Sequence, residues 1–164
     1  MEFKGTVITD KYVIFKDDVF SNIYPCKIVY NNIEFGSVDH LFMYFKAIHF
    51  NDYEAMESII NVSEPKLSKR IGRKIKNFDE SIWENVRENY LYKAVYLKFS
   101  QNEDLKSLLL EYGKDHKFVQ GSRCDYIYGI GIRFKDEDAK DETKWKGLNI
   151  AGKVLDKVYE ELSK

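Results

Sequence analysis

The chain has 164 residues, 44% of them hydrophobic and 15% aromatic, with 26 Lys and Arg against 27 Asp and Glu. This composition suffices for one domain with its own core and excludes an intrinsically disordered chain. The formal net charge of −1 argues against generic attachment to nucleic acid or to a membrane surface through overall charge. Residues 6 to 16 alternate around Val7, Ile8, Tyr12, Val13, Ile14 and Phe15 and read as strand. A polar loop with aromatic shoulders, Phe20-Ser21-Asn22-Ile23-Tyr24-Pro25, leads to a second strand region from Cys26 to Phe35, with Asn31-Asn32 as its turn. The remainder reads as mostly helical. Ser37 caps a helix to about His49, and Asn51 or Asp52 caps a short one through Ile60. Ser63-Glu64-Pro65 starts a third helix, ending near Gly72. Asp79 caps the longest, Glu80 to Ser100, with Trp83, Val86, Tyr90, Ala94 and Leu97 on one stripe. Another runs from Glu103 to Tyr112 and stops at Gly113. A glycine-punctuated stretch from Gly121 to Gly131 and a charge-dense exposed loop, 135 to 146, precede a closing helix from Asn149 to Leu162. The expected architecture is a single α+β domain over 1–164, mainly α with a small N-terminal β-sheet.

No apolar run approaches the roughly 18 residues that span a bilayer. The start, Met-Glu-Phe-Lys-Gly-Thr, has no basic region followed by an apolar one, so no signal peptide is expected. Cys26 and Cys124 are isolated, which fits a reducing, cytoplasmic setting. His40, His49 and His116 are too scattered for a zinc or iron site, and no metal or cofactor is expected.

Several segments carry candidate chemistry. On the Ser37 helix, Leu41, Phe42, Phe45 and Ile48 form an apolar stripe, while Asp39, Met43 and Lys46 share another face. Seven steps of about 100° return Lys46 to nearly the azimuth of Asp39, with the two Cα atoms about 10 Å apart along the axis. A carboxylate and an amine so placed can serve one cleft. The same residues also read as a first-turn acid complementing the helix dipole and a solvated lysine. From 66 to 76 the chain holds Lys66, Lys69, Arg70, Arg73, Lys74 and Lys76 and no acid. The segment also reads as a solvated basic face; Arg73, just past the helix-ending Gly72, stands out from it as a phosphate ligand because its fork matches phosphate oxygens. Asp125-Tyr126-Ile127-Tyr128-Gly129-Ile130-Gly131 can form a tight loop against a flat ligand, or a turn into a strand. Trp83 reads either as core or as a ligand platform. Asn149, after Gly147-Leu148, reads most simply as an N-cap. Together these are the parts a small enzyme acting on a phosphorylated nucleoside-like ligand needs.

In order along the chain, these motifs resemble the NADAR/YbiA-like N-glycosidase family. The matching segments are Phe20-Ser21-Asn22 with Tyr24-Pro25, Ser37-Val38-Asp39-His40 through Lys46-Ala47, and Pro65-Lys66 with Ile71-Gly72-Arg73. They continue with Trp83 through Lys98-Phe99-Ser100-Gln101-Asn102, Leu108 to Gly113, Asp125 to Gly131, and Gly147-Leu148-Asn149 with Gly152. The resemblance implies a mostly helical domain with a small sheet that hydrolyses N-glycosidic bonds to ribose. It implies substrates such as phosphoribosylamino-pyrimidine intermediates of riboflavin synthesis, or ADP-ribose attached to guanine. The partner would then be a phosphorylated nucleoside-like small molecule or an ADP-ribosylated guanine base, with nucleic acid entering only as a modified substrate. By resemblance Asp39, Lys46, Trp83 and Asp125 are the catalytic set. Ser21, Asn22, His40, Arg73, Tyr128, Gly129 and Asn149 would meet substrate. Lys46 would act either as an ion partner keeping Asp39 ionised or as an amine capturing ribose C1′ as an imine. The chain departs from the family at three places: Asp39 stands for a Glu, Gln120 for an acid and Tyr128 for a Trp.

Overall fold

The computed structural model describes residues 2–164; Met1, the first residue of the expected domain, lies outside the described residues. In chain order the elements are β1 (Thr6–Ile8), β2 (Tyr12–Phe15), β3 (Ile28–Tyr30), β4 (Ile33–Phe35), α1 (Val38–His49), α2 (Tyr53–Ile60), α3 (Pro65–Gly72) and α4 (Glu80–Gln101). Then come α5 (Glu103–Gly113), β5 (Lys117–Gln120), two short 3-10 turns (Glu137–Lys140 and Glu142–Lys144) and α6 (Ile150–Leu162). Six helices with small sheets make this the expected α+β class. The chain groups into two compact units, one of residues 1–24 and 103–164, the other of residues 25–102.

In the first unit β2 is the middle strand. It pairs antiparallel with β1 and parallel with β5, with Tyr12 opposite Lys117 and Phe15 opposite Gln120. β5 was not expected from sequence. Its four residues show no usable alternation, and its strand character comes from pairing with a segment about a hundred residues away. α6 packs on β5 and α5 on α6. Ile14, Val119, Ile130, Ile132 and Ala139 form a buried cluster flanked by Tyr12, Phe134 and Trp145. The charge-dense stretch expected as exposed loop is therefore anchored from within: Ala139 is fully buried, and Trp145 donates its indole N–H to the Ala139 carbonyl at 2.9 Å.

In the second unit the β3–β4 hairpin turns on Asn31 and Asn32, both at positive φ (54° and 63°), as the Asn-Asn signal predicts. α1 packs against α2, α3 and α4. Asp52 caps α2 and Asp79 caps α4, each accepting a main-chain N–H. Pro65 opens α3 as its first helical residue, with no side-chain cap. At the far end of α4, Gln101 continues the ladder of β3, accepting the Val29 N–H at 2.8 Å and donating to the Val29 carbonyl at 2.9 Å. The buried face of α4 differs from the expected stripe. Trp83 and Ala94 are on it, but so are Arg87 and Lys98, which an apolar pattern does not register.

Candidate functional site

The unit of residues 25–102 holds the expected acid–amine helix face. Ser37 starts α1 by accepting the His40 N–H at 3.1 Å. The imidazole of His40 accepts the Gly36 N–H at Nδ1 (3.2 Å), which requires the Nε2–H tautomer, and Nε2 then donates to the Ile59 carbonyl at 2.6 Å. Both ring nitrogens are engaged by main chain at 3% exposure, so His40, expected on substrate, is a tie between the hairpin end, α1 and α2.

Asp39 is 7% exposed, and its Oδ2 lies 3.1 Å from Lys69 Nζ on α3. Lys69, not Lys46, is therefore its ion partner. The helical rise carries Lys46 about 10 Å along the axis from Asp39, and there its Nζ donates to the Gly72 carbonyl at 2.9 Å. The same ammonium sits 4.5 Å from the Phe78 ring centroid and 5.9 Å from that of Trp83. Burial lowers the pKa of Lys46 below the usual lysine range; Glu80 opposes the shift and Arg73 adds to it. Met43, on the same face, packs where α1 meets α3: a Cβ on Gly72 would overlap its Sδ. Arg73 is exposed at the C-terminal end of α3.

Trp83 was expected to stack on a base or ribose. The indole is 4% exposed and packed by Phe42, His49, Phe50 and Tyr90, with Tyr90 nearly parallel at 5.8 Å and 21°. It forms a wall beside Lys46. Sequence reading assigned no role to Lys98, which is 1% exposed. Burial lowers its pKa to about 8, against the opposing pull of Cys26 and Asp39. Its register with Leu91, Ala94 and Val95 on the buried face of α4 is the signal that would find it.

The other unit holds the glycine-rich loop and the FSN segment. Asp125 Oδ1 accepts the N–H groups of Ile127 (3.0 Å) and Tyr128 (2.8 Å), and its Oδ2 accepts from Gln120 Nε2 at 3.2 Å. The expected tight loop is thus built around the carboxylate. Gly131 closes it at φ 71°, with its N–H on the Asp125 carbonyl at 3.0 Å. Asn149 begins α6 at φ 54° but makes no cap bond. Its Oδ1 accepts the Gln120 N–H at 2.9 Å and its Nδ2 donates to the Phe118 carbonyl at 3.1 Å. Asn149 thus holds the expected N-cap position, while its side chain bridges α6 to β5 instead of capping the helix. Gly129 lies against this loop's own backbone: a Cβ on Gly147 would overlap the Gly129 carbonyl. Tyr128 is half-buried. Ser21, 6% exposed, accepts the Ile23 N–H at 3.3 Å, and Asn22 beside it is half-buried.

Asp39, Lys46 and Trp83 thus belong to one unit together with Arg73 and His40, and Asp125, Tyr128, Gly129 and Asn149 to the other together with Ser21 and Asn22. Among the described residues no cluster of His, Cys, Asp and Glu is placed to hold a metal ion, and no helix is long and apolar enough to cross a membrane.

Residues 12–163 match the NADAR domain. The chain is 36% identical to N-glycosidase R617 of Acanthamoeba polyphaga mimivirus, covering 93% of this chain and 97% of that protein. The NMR structure of the Escherichia coli protein YbiA superposes with a TM-score of 0.76 at 28% identity, covering 98% of this chain and 89% of that one. A riboflavin biosynthesis protein of Vibrio vulnificus, VVA0006, is 27% identical over 87% of this chain but only 35% of its own length.

Proposed function

The chain belongs to the NADAR family of N-glycosidases, and on that premise we propose that it hydrolyses the bond between a base and a phosphorylated ribose of the ADP-ribosyl type, with guanine as the base. The observation that carries the reading is Lys46: an amine on the same face of α1 as Asp39, boxed by Phe78 and Trp83, whose proton affinity burial has reduced. Such an amine is available as a nucleophile nearer neutral pH than an ordinary lysine. With Lys69 paired to Asp39, we take the imine role for Lys46. Its neutral nitrogen bonds to C1′ as the base departs with the bonding electrons. The ribose ring then opens to an imine, and water releases the sugar and restores the amine. Asp39 or Asp125 stabilises the positive charge that develops at C1′ and orients or deprotonates water. Arg73 and its basic neighbours hold phosphate. Free thiols at half-buried Cys26 and exposed Cys124 suit a reducing, cytoplasmic setting.

Incubation with ADP-ribosylated guanosine should release free guanine, followed by chromatography, and Asp39→Asn should abolish release with the fold intact. Borohydride added during turnover should trap ribose on Lys46. Tight binding without base release would turn the protein into a binding module and overturn the reading. The kinship to a riboflavin biosynthesis protein favours a second substrate, the phosphoribosylamino-pyrimidine, which belongs in the same assay.

A further inference from the structure

Gln120, the last residue of β5, is where the site residues of its unit meet. Its N–H donates to Asn149 Oδ1 at 2.9 Å, its carbonyl accepts the Ile130 N–H at 3.0 Å, and a Cβ on Gly129 would stand 3.0 Å from that carbonyl. These contacts are main-chain on the Gln120 side, so any side chain at 120 would be carried to the same place. The side chain therefore decides chemistry, not position. It donates from Nε2 to Asp125 Oδ2 at 3.2 Å, while Oδ1 of the same carboxylate takes the Ile127 and Tyr128 N–H groups. Three donors converge on one carboxylate. The contact also fixes the amide's orientation, because an ionised carboxylate has only acceptors to offer. A carboxyl group at 120 would instead face Asp125 acid to acid, and the two would share a proton.

We propose that Gln120 is a positioning residue that holds the Asp125 carboxylate in place as a hydrogen-bond acceptor. Resting on the reading of Asp125 as a site residue, this limits what the loop can do. Held as an acceptor, the carboxylate is placed to take a proton from water and to stabilise a cation.

Carboxyl-carbon NMR titration of the full chain tests the pairing without substrate. In Gln120→Glu, the introduced carboxyl and Asp125 should titrate as a coupled pair, the upper step displaced by about one pH unit or more above the ordinary carboxylate range. The pH profile of kcat on ADP-ribosylated guanosine should gain an acid limb between about pH 5 and 7 that the wild type lacks. Gln120→Met, which keeps every main-chain bond, should lower kcat about tenfold with KM little changed. Two carboxyls titrating independently in Gln120→Glu, or a Gln120→Met variant with wild-type kcat and profile, would overturn the proposal. Coupled titration in a protein that cleaves neither substrate would sink the glycosidase reading and leave the Gln120–Asp125 pairing standing.

Discussion

A lysine at 1% exposure, as Lys98 is, carries its charge against the solvent it has lost. Its folded pKa of about 8 lies below the 10.5 of the free side chain. Below pH 8 both folded and unfolded chains hold the proton, and burial costs its full amount, about 3 kcal/mol. Between about pH 8 and 10.5 the unfolded chain still binds the proton and the folded chain has released it, so this group's penalty fades and stability rises with pH. Urea unfolding of wild type and Lys98→Met at pH 7 and pH 10 isolates the effect, since other titrating groups cancel in the difference. Wild type should gain up to about 3 kcal/mol on the variant across that window. No gain would mean that the amine keeps its proton in the folded state. Neither burial nor shift is visible in the letters Lys-Phe-Ser-Gln-Asn. They follow from where α4 turns its Leu91–Ala94–Val95 face, a consequence of packing. The same holds for Asp39: one-face placement with Lys46 was legible from helical spacing, but its pairing with Lys69 required knowing that α3 lies against α1.

Among the elements, helices were readable because caps and periodicity are local. Ser37, Asp52, Asp79 and Pro65 mark starts that the structure keeps. β5 was not, because a four-residue strand takes its identity from β2. Asn149 shows how far the two kinds of information diverge. Local reasoning made it an N-cap, the position it keeps, but not the use of its amide, which stitches α6 to β5 through Gln120 and Phe118, nor its backbone at φ 54°. Asn149→Ala strands a main-chain N–H and a carbonyl at a 4% exposed site and places an alanine in the left-handed conformation at φ 54° that Asn tolerates better. The expected cost is about 2–4 kcal/mol by urea unfolding. Asn149→Gly removes the same bonds without the backbone strain and should cost about 1 kcal/mol less. Equal costs for the two variants would show that the φ value carries no energy.

Across the whole molecule, 26 basic and 27 acidic side chains nearly cancel, so no long-range field draws in an anionic substrate. Any salt dependence must come from local charge. The segment from 66 to 76 supplies it: of its six cations, Lys69 pairs with Asp39 and Lys76 with Glu54, while Lys66, Arg70, Arg73 and Lys74 make no ion pair among the described residues. Four exposed cations within one helix and its end act over about a Debye length, 10 Å at 0.1 M salt. On the proposed reading they would contact the non-reacting phosphates and so contribute binding that is equal in ground and transition states. For an ADP-ribosyl substrate, kcat/KM should therefore fall as ionic strength rises, through KM with kcat unchanged. Replacing Lys66, Arg70, Arg73 and Lys74 together by Gln should raise KM about tenfold or more at low salt and flatten the dependence. A pyrimidine substrate bearing one phosphate should show a shallower slope than a diphosphate one. Comparing the two slopes on the wild type thus separates the two substrate readings by a property that no single active-site variant reports: a steeper slope for the diphosphate that vanishes in the quadruple variant assigns the basic segment to the second phosphate, and identical slopes that survive the substitutions remove phosphate recognition from this segment.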